Sequence, residues 1–133
     1  MRHHALLISK TAIAASASNQ YQQLNSQRNK FVPNTLQGKT IEILANDSFE
    51  QVELTKPRKA LEEAGARAQV VSPTDKKIKG WDKKDWGEEV QVDVPLKSAN
   101  PAQYRALLLP GGIMNPDHLR MNPDAVKFVK HFF

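Results

Sequence analysis

The stretch Arg105-Ala-Leu-Leu-Leu-Pro-Gly-Gly112 constrains the fold more than any other part of this 133-residue chain. Ala106 to Leu109 is a short unbroken apolar run. That is the pattern of a strand buried on both faces, as in a parallel sheet covered by helices. Pro110-Gly111-Gly112 then breaks the strand into a tight turn. Glycine there lets backbone N–H groups approach a ligand closely and point at developing negative charge. A turn of this kind needs an attacking group opposite it, and the chain contains no Cys.

The segments around this strand supply the rest of an α/β domain. Thr40 to Ala45 reads as a first strand, followed by a loop at Asn46-Asp-Ser48. A helix follows and ends at Gly65, a C-cap residue. Local rules place its start at Thr55, with Pro57 in the first turn. Ala68 to Ser72 reads as a second strand. Thr74 to Glu89 is polar and Lys-rich, with Gly80 and Gly87 as turn residues and Trp81 and Trp86 packed over a sheet edge. Glu89 to Val94 alternates strictly, the pattern of a half-exposed strand. Asn122-Pro123-Asp124 starts a terminal helix, with Asn as cap, Pro at the first position and an acid at the positive dipole end. Ala125, Val126, Val129, Phe132 and Phe133 follow helical spacing on one face of it. No internal repeat is present.

Charge divides the chain at Glu42. Up to Ile41 there are five basic residues and no acid; beyond it 14 basic residues balance 14 acidic ones. The net charge of +5 therefore belongs to the leading segment. Those basic residues are scattered among Gln, Asn and Ser, which describes a solvated tail and not a nucleic-acid patch. Residues 1–37 read as a disordered basic extension or a targeting segment, with at most a short helix near Leu6 to Ala17. Residues 38–133 form the domain. Without Cys there is no disulfide and no thiolate metal site, and four scattered His give no ligand spacing. No apolar run reaches the ~18 residues of a membrane span. No cofactor, metal, nucleic-acid or membrane partner is expected.

Two stretches carry a family resemblance. One is Asp47-Ser-Phe-Glu-Gln-Val-Glu-Leu54, continuing as Thr-Lys-Pro-Arg-Lys-Ala-Leu-Glu-Glu-Ala-Gly65. The other is Leu-Leu-Leu-Pro-Gly-Gly112 with Asn-Pro-Asp-His-Leu-Arg-Met-Asn122 after it. Together they resemble the PfpI family of intracellular cysteine proteases and amidases, which includes the parkinsonism-linked protein deglycase. The resemblance runs in one register from about Lys39 to Phe133. It implies a flavodoxin-like three-layer sandwich with a mostly parallel sheet, related to class I glutamine amidotransferase domains. It also moves the helix start back to near Glu50, with Pro57 as a kink. The family's nucleophile is a Cys in an Ala-x-Cys-His-Gly turn shortly after the helix that closes this chain. The chain therefore reads as the amino-terminal portion of such a domain.

The resemblance also assigns roles. Glu53 matches the Glu that points at the nucleophilic thiol and tunes it; its plain alternative is a solvated acid at a helix N-terminus. Gly112 matches the oxyanion donor, and Gly111 permits the turn. Asp117 matches an acid that orients the catalytic His across a subunit interface; the alternative is a loop Asp. Glu50 reads as solvated or dipole-facing, and His118 and His131 as surface residues. Ser48 stands where the family often has Gly, a mild strain if that position needs a positive φ. The implied protein is a homo-oligomeric, cytoplasmic hydrolase or deglycase acting on amide, glycated-protein or aldehyde adducts. The rival is a truncated or degenerate copy that acts by association, and the leading segment leaves targeting open.

Overall fold

The computed structural model describes residues 6–9 and 35–133. Within them β2 (Thr40–Leu44), β4 (Arg67–Ser72), β7 (Val94–Pro95) and β8 (Ala106–Leu109) form one sheet with β1 (Leu6–Ser9). The strand order is β1-β8-β2-β4-β7. β8, β2, β4 and β7 are mutually parallel, whereas β1 pairs antiparallel with β8. Ile41, Ile43, Leu44, Val70, Val71, Leu107 and Leu108 are buried, because this sheet is covered on both faces. α1 (Gln51–Glu63) lies on one face; α2 (Asn115–Met121) and α3 (Pro123–Lys130) lie on the other. The architecture is the expected flavodoxin-like sandwich.

Each helix starts where local chemistry allows. α1 begins at Gln51 and contains Pro57, so the early start holds and the Thr55 cap does not. Thr55 Oγ1 instead donates back to the Gln51 carbonyl at 2.9 Å, inside the helix. Gly65 closes the helix with φ +94, the left-handed conformation expected of a C-terminal glycine. In α3 the Asn122 side chain accepts from the amides of Asp124 and Ala125, with Pro123 first in the helix, as the sequence predicts.

Several expectations need correction. Leu6–Ser9 is a strand, not the start of a short helix; the remainder of the leading segment lies outside the described residues. Gly80 and Gly87 sit inside β5 (Lys77–Asp82) and β6 (Asp85–Gln91), not in turns. These strands form a hairpin whose turn is Lys83-Lys84, with Lys83 at φ +58. Close approach favours glycine in those strands. A Cβ on Gly87 would stand 1.8 Å from Gln51 Oε1, and one on Gly80 would stand 3.0 Å from the Phe49 ring. β3 (Phe49–Glu50) joins the hairpin in a second sheet of order β3-β5-β6.

Trp81 and Trp86 meet edge-on across the hairpin with ring centroids 5.5 Å apart. The alternating run from Glu89 ends as a strand at Gln91. Val90 and Val92 are buried, and the chain changes sheets before β7. Phe128, absent from the expected helical stripe, is buried on α3, and Phe132, just past the end of that helix, is buried too. Phe133 alone of these rings is exposed, at 86%. The residues after Gly112, expected as loop, contain α2. Finally, the outer edge of β8 is paired, by β1.

Candidate functional site

The site forms where the C-terminal ends of β2 and β8 meet the N-terminus of α1. After β2, Asn46-Asp47-Ser48 turns the chain sharply. Ser48 adopts φ +66 and is buried, so the strain expected of a serine in a glycine position is present. The hairpin clamps the turn. Asp47 Oδ1 accepts from Lys79 N at 2.8 Å, and Ser48 N donates to Lys79 O at 2.8 Å. Gln51 Oε1 accepts from Glu88 N at 2.6 Å.

The Gly-Gly turn packs directly on this loop. Phe49 and Gly112 form an isolated antiparallel bridge, and Glu50 N donates to Gly111 O at 2.9 Å. Gly112 has φ +135, and a Cβ there would meet the Ser48 carbonyl oxygen at 2.3 Å. Only glycine fits that backbone and that space.

Glu53, half-buried in the first turn of α1, accepts from Gly111 N with Oε2 at 2.5 Å. This is a short, charge-assisted bond between residues 58 apart in sequence. It joins the two motifs and shows what the turn does: its amide points at a carboxylate. The helix dipole adds to the stabilisation of negative charge there. Glu53, Gly111 and Gly112 are therefore one cluster.

Asp117 does not join them. It lies on α2, exposed, and pairs with Arg120 at 2.6 Å. Such an exposed pair is worth little to stability. His118 and His131 are exposed. Among the described residues, no three His, Asp or Glu come together to hold a metal ion, and no helix is long and apolar enough to cross a membrane.

One residue of the site was not singled out from sequence. Asn115, fully buried, accepts from Asn46 N with Oδ1 at 2.6 Å and donates Nδ2 to Pro110 O at 2.8 Å and to Gly111 O at 3.4 Å. It staples the two loops through a donor and an acceptor at once, as a side-chain amide can. Its place directly before Pro116, three residues after the Gly-Gly pair, was the available signal.

A domain with this parallel sheet and a carboxylate held against a strand-end glycine turn defines an α/β protein of flavodoxin-like class. Residues 39–133 match the DJ-1/PfpI family, and the chain belongs to it. A protein of Staphylococcus epidermidis is 41% identical over 97 residues, covering 71% of this chain and 54% of the relative. One of Staphylococcus aureus is 42% identical over 93 residues, covering 68% and 51%. Both relatives are described as uncharacterised. The chain thus spans about half the length of the curated relatives it matches.

Among solved structures, a two-domain Anabaena variabilis protein with DJ-1/ThiJ/PfpI-like and ferritin-like domains superposes with TM-score 0.64. It is 32% identical, over 71% of this chain and 26% of that one. Oxidised DJ-1 of Toxoplasma gondii superposes with TM-score 0.58 at 18% identity, over 71% and 50%. The second likeness bears on the fold alone.

Proposed function

We propose that this chain carries the carboxylate and oxyanion portion of a cysteine hydrolase or deglycase site, for amide, glycated-protein or aldehyde-adduct chemistry. The observation that carries the reading is the Glu53 carboxylate bound to the Gly111 amide. In this structure the turn already holds a negative oxygen, supplied by its own chain. A turn that stabilises a carboxylate oxygen has the electrostatics to stabilise an oxyanion on a tetrahedral carbon. Gly112 is the oxyanion donor, Gly111 shapes the turn, and Glu53 tunes a thiol brought opposite it. Asp117 orients an imidazole of a neighbouring subunit in a homo-oligomer; its pair with Arg120 must open for that. The site of action is cytoplasmic.

The absence of Cys from the 133 residues favours a second reading for the chain by itself: a non-catalytic copy that acts by association. Both readings put any nucleophilic thiol outside these residues, and one assay tests that shared premise. The purified 133-residue protein is incubated with methylglyoxal and with fluorogenic peptides, with and without iodoacetamide. No thiol-dependent turnover is expected. Turnover that iodoacetamide abolishes, in a preparation verified by mass, would contradict the assignment of the nucleophile to a Cys outside these residues.

A further inference from the structure

The first turn of α1 carries Glu53 and is weakly tied to the rest of the helix. Glu50 stands at its N-cap position and makes no side-chain cap bond. The helical bond to the Glu53 carbonyl is missing, because Pro57 has no N–H and its ring crowds that carbonyl. The ties that remain run from Thr55 and Lys56 back to Gln51 and Val52. Thr55, with Pro57 behind it, is itself the sequence of a helix start. The helix thus contains a latent second N-terminus, and a helix beginning there would leave Glu53 outside it.

The hairpin supplies what the helix lacks. β5 pairs with Phe49 and Glu50, so the chain enters α1 as a strand. β6 grips Gln51, the first residue of α1: its Oε1 accepts from Glu88 N at 2.6 Å, in the space that Gly87 leaves open. From that anchored start Glu53 reaches Gly111 N, and Glu50 N reaches Gly111 O. The alignment of the carboxylate with the Gly-Gly turn is therefore set at Gln51, by a backbone group 37 residues away.

We propose that Gln51 is a positioning residue for the candidate site. Its bond to the β6 backbone selects the helix start at Gln51 over the one at Thr55, and so holds the Glu53 carboxylate on the Gly111 amide. When that bond opens, the first turn unwinds and the carboxylate leaves, which frees the Gly-Gly turn for another negative oxygen. This role rests on the reading of that turn as an oxyanion site; the alignment is measured without any thiol chemistry.

Amide hydrogen exchange in the full chain tests it with Gln51→Ala, with Gln51→Glu, and with Gln51→Ala combined with Pro57→Ala. In Gln51→Ala the amides of Gly111, Thr55 and Lys56 should exchange about tenfold faster. Lys59, Ala60 and Leu61, beyond Pro57, should keep their rates. Gln51→Glu retains an acceptor for Glu88 N and should match the parent chain. Adding Pro57→Ala returns a donor to the Glu53 carbonyl and should bring the accelerated amides back to slow exchange. An unchanged Gly111 amide in Gln51→Ala would overturn the proposal. Equal acceleration at Lys59, Ala60 and Leu61 would overturn it too, since that marks a general loss of stability. A double variant that stays fast would remove the alternative helix start, and Gln51→Glu behaving like Gln51→Ala would remove the role of the bond. Should Gln51→Ala fail to fold, Pro57→Ala in the parent chain decides: exchange at Gly111 must slow there. No outcome depends on a Cys, so failure of the hydrolase reading and failure of this alignment show up in separate experiments.

Discussion

The two faces of the main sheet are finished to different degrees. Under α1, Ile43, Phe49, Leu54, Val70 and Ile78 are fully buried, and the second sheet closes the layer. Under α2 and α3 the deep residues Leu44, Val71, Tyr104, Leu107 and Phe128 are buried as well. Yet a groove of about 280 Å³ remains between Leu109, Pro116, Leu119, Val126, Val129 and Phe133. The carboxylate-bearing helix belongs to the closed face, the Gly-Gly turn sits at the rim shared by both, and Asp117 rises from the open face. Glu53 on the closed face is fixed against Gly111, whereas on the open face Asp117 has only the exposed Arg120, and Asn115 is fixed because it reaches in to the loops. The difference teaches where this half of a site is preorganised.

Substitutions should break that comparison most strongly on the closed face. Leu54→Ala should lower unfolding free energy by about 3 kcal/mol, because no solvent reaches the cavity it leaves. Val129→Ala, beside the groove, should cost under about 1 kcal/mol. Urea denaturation of both measures this, and equal losses would abolish the distinction. Gly112→Ala should cost about 2–3 kcal/mol, from a positive φ and a Cβ against the Ser48 carbonyl.

Next comes the link between the two loops. Asn115→Ala leaves Asn46 N and Pro110 O without their partner and should cost about 2 kcal/mol. Asp117→Asn, which only weakens an exposed pair, should stay within about 0.5 kcal/mol. Thermal melts of the two variants should therefore part clearly. Ser48→Gly should raise stability by about 1 kcal/mol by relieving the φ of +66; a loss there would mean that the serine side chain is needed.

The last test is silent at neutral pH. Burial and the charges of Glu42 and Asp93 push the Tyr104 hydroxyl up to about 12. In the unfolded chain a tyrosine ionises near ~10. The folded state thus keeps a proton that the unfolded state loses, so stability falls as pH rises from about 10 to about 12. Tyr104→Phe should flatten that part of the profile of melting temperature against pH, at the expense of the bond to Gln69 Oε1 at 3.0 Å.

Much of this was legible in the sequence, for particular reasons. β8 is an unbroken apolar run, and β2 and β4 are short β-branched-rich runs broken by single polar residues, Glu42 and Gln69, so all three read directly as strands of a doubly covered sheet. Asn122-Pro123-Asp124 read correctly because its cap uses only neighbouring residues. The start of α1 did not follow from local rules, since Thr55 and Pro57 mimic a helix N-terminus; the family pattern placed it. The hairpin was missed because its glycines answer to Gln51 and Phe49, neighbours distant in sequence, and not to turns. β1 was missed because four residues in a polar segment carry no periodicity, and its partner lies about 100 positions away in the chain. The pairing of Glu53 with Gly111 was legible only in part: the resemblance aimed the carboxylate at a thiol, and the structure aims it at an amide. Asn115 stood inside a quoted motif, yet nothing in its composition told a buried staple from a helix start.

The hairpin turn at Lys83-Lys84 has a consequence for how the chain withstands proteases. Both lysines are exposed and lie at the far end of the second sheet from its contacts with Ser48 and Gln51. A trypsin-like cut between them severs the polypeptide but none of the hydrogen bonds that hold the loops of the site. The pieces 1–83 and 84–133 would then each be an incomplete sheet, with β2 and β4 on one and β7 and β8 on the other. Each needs the other to fill its layer, so the nicked protein should travel as one particle on a gel-filtration column and fall into two bands only in denaturant.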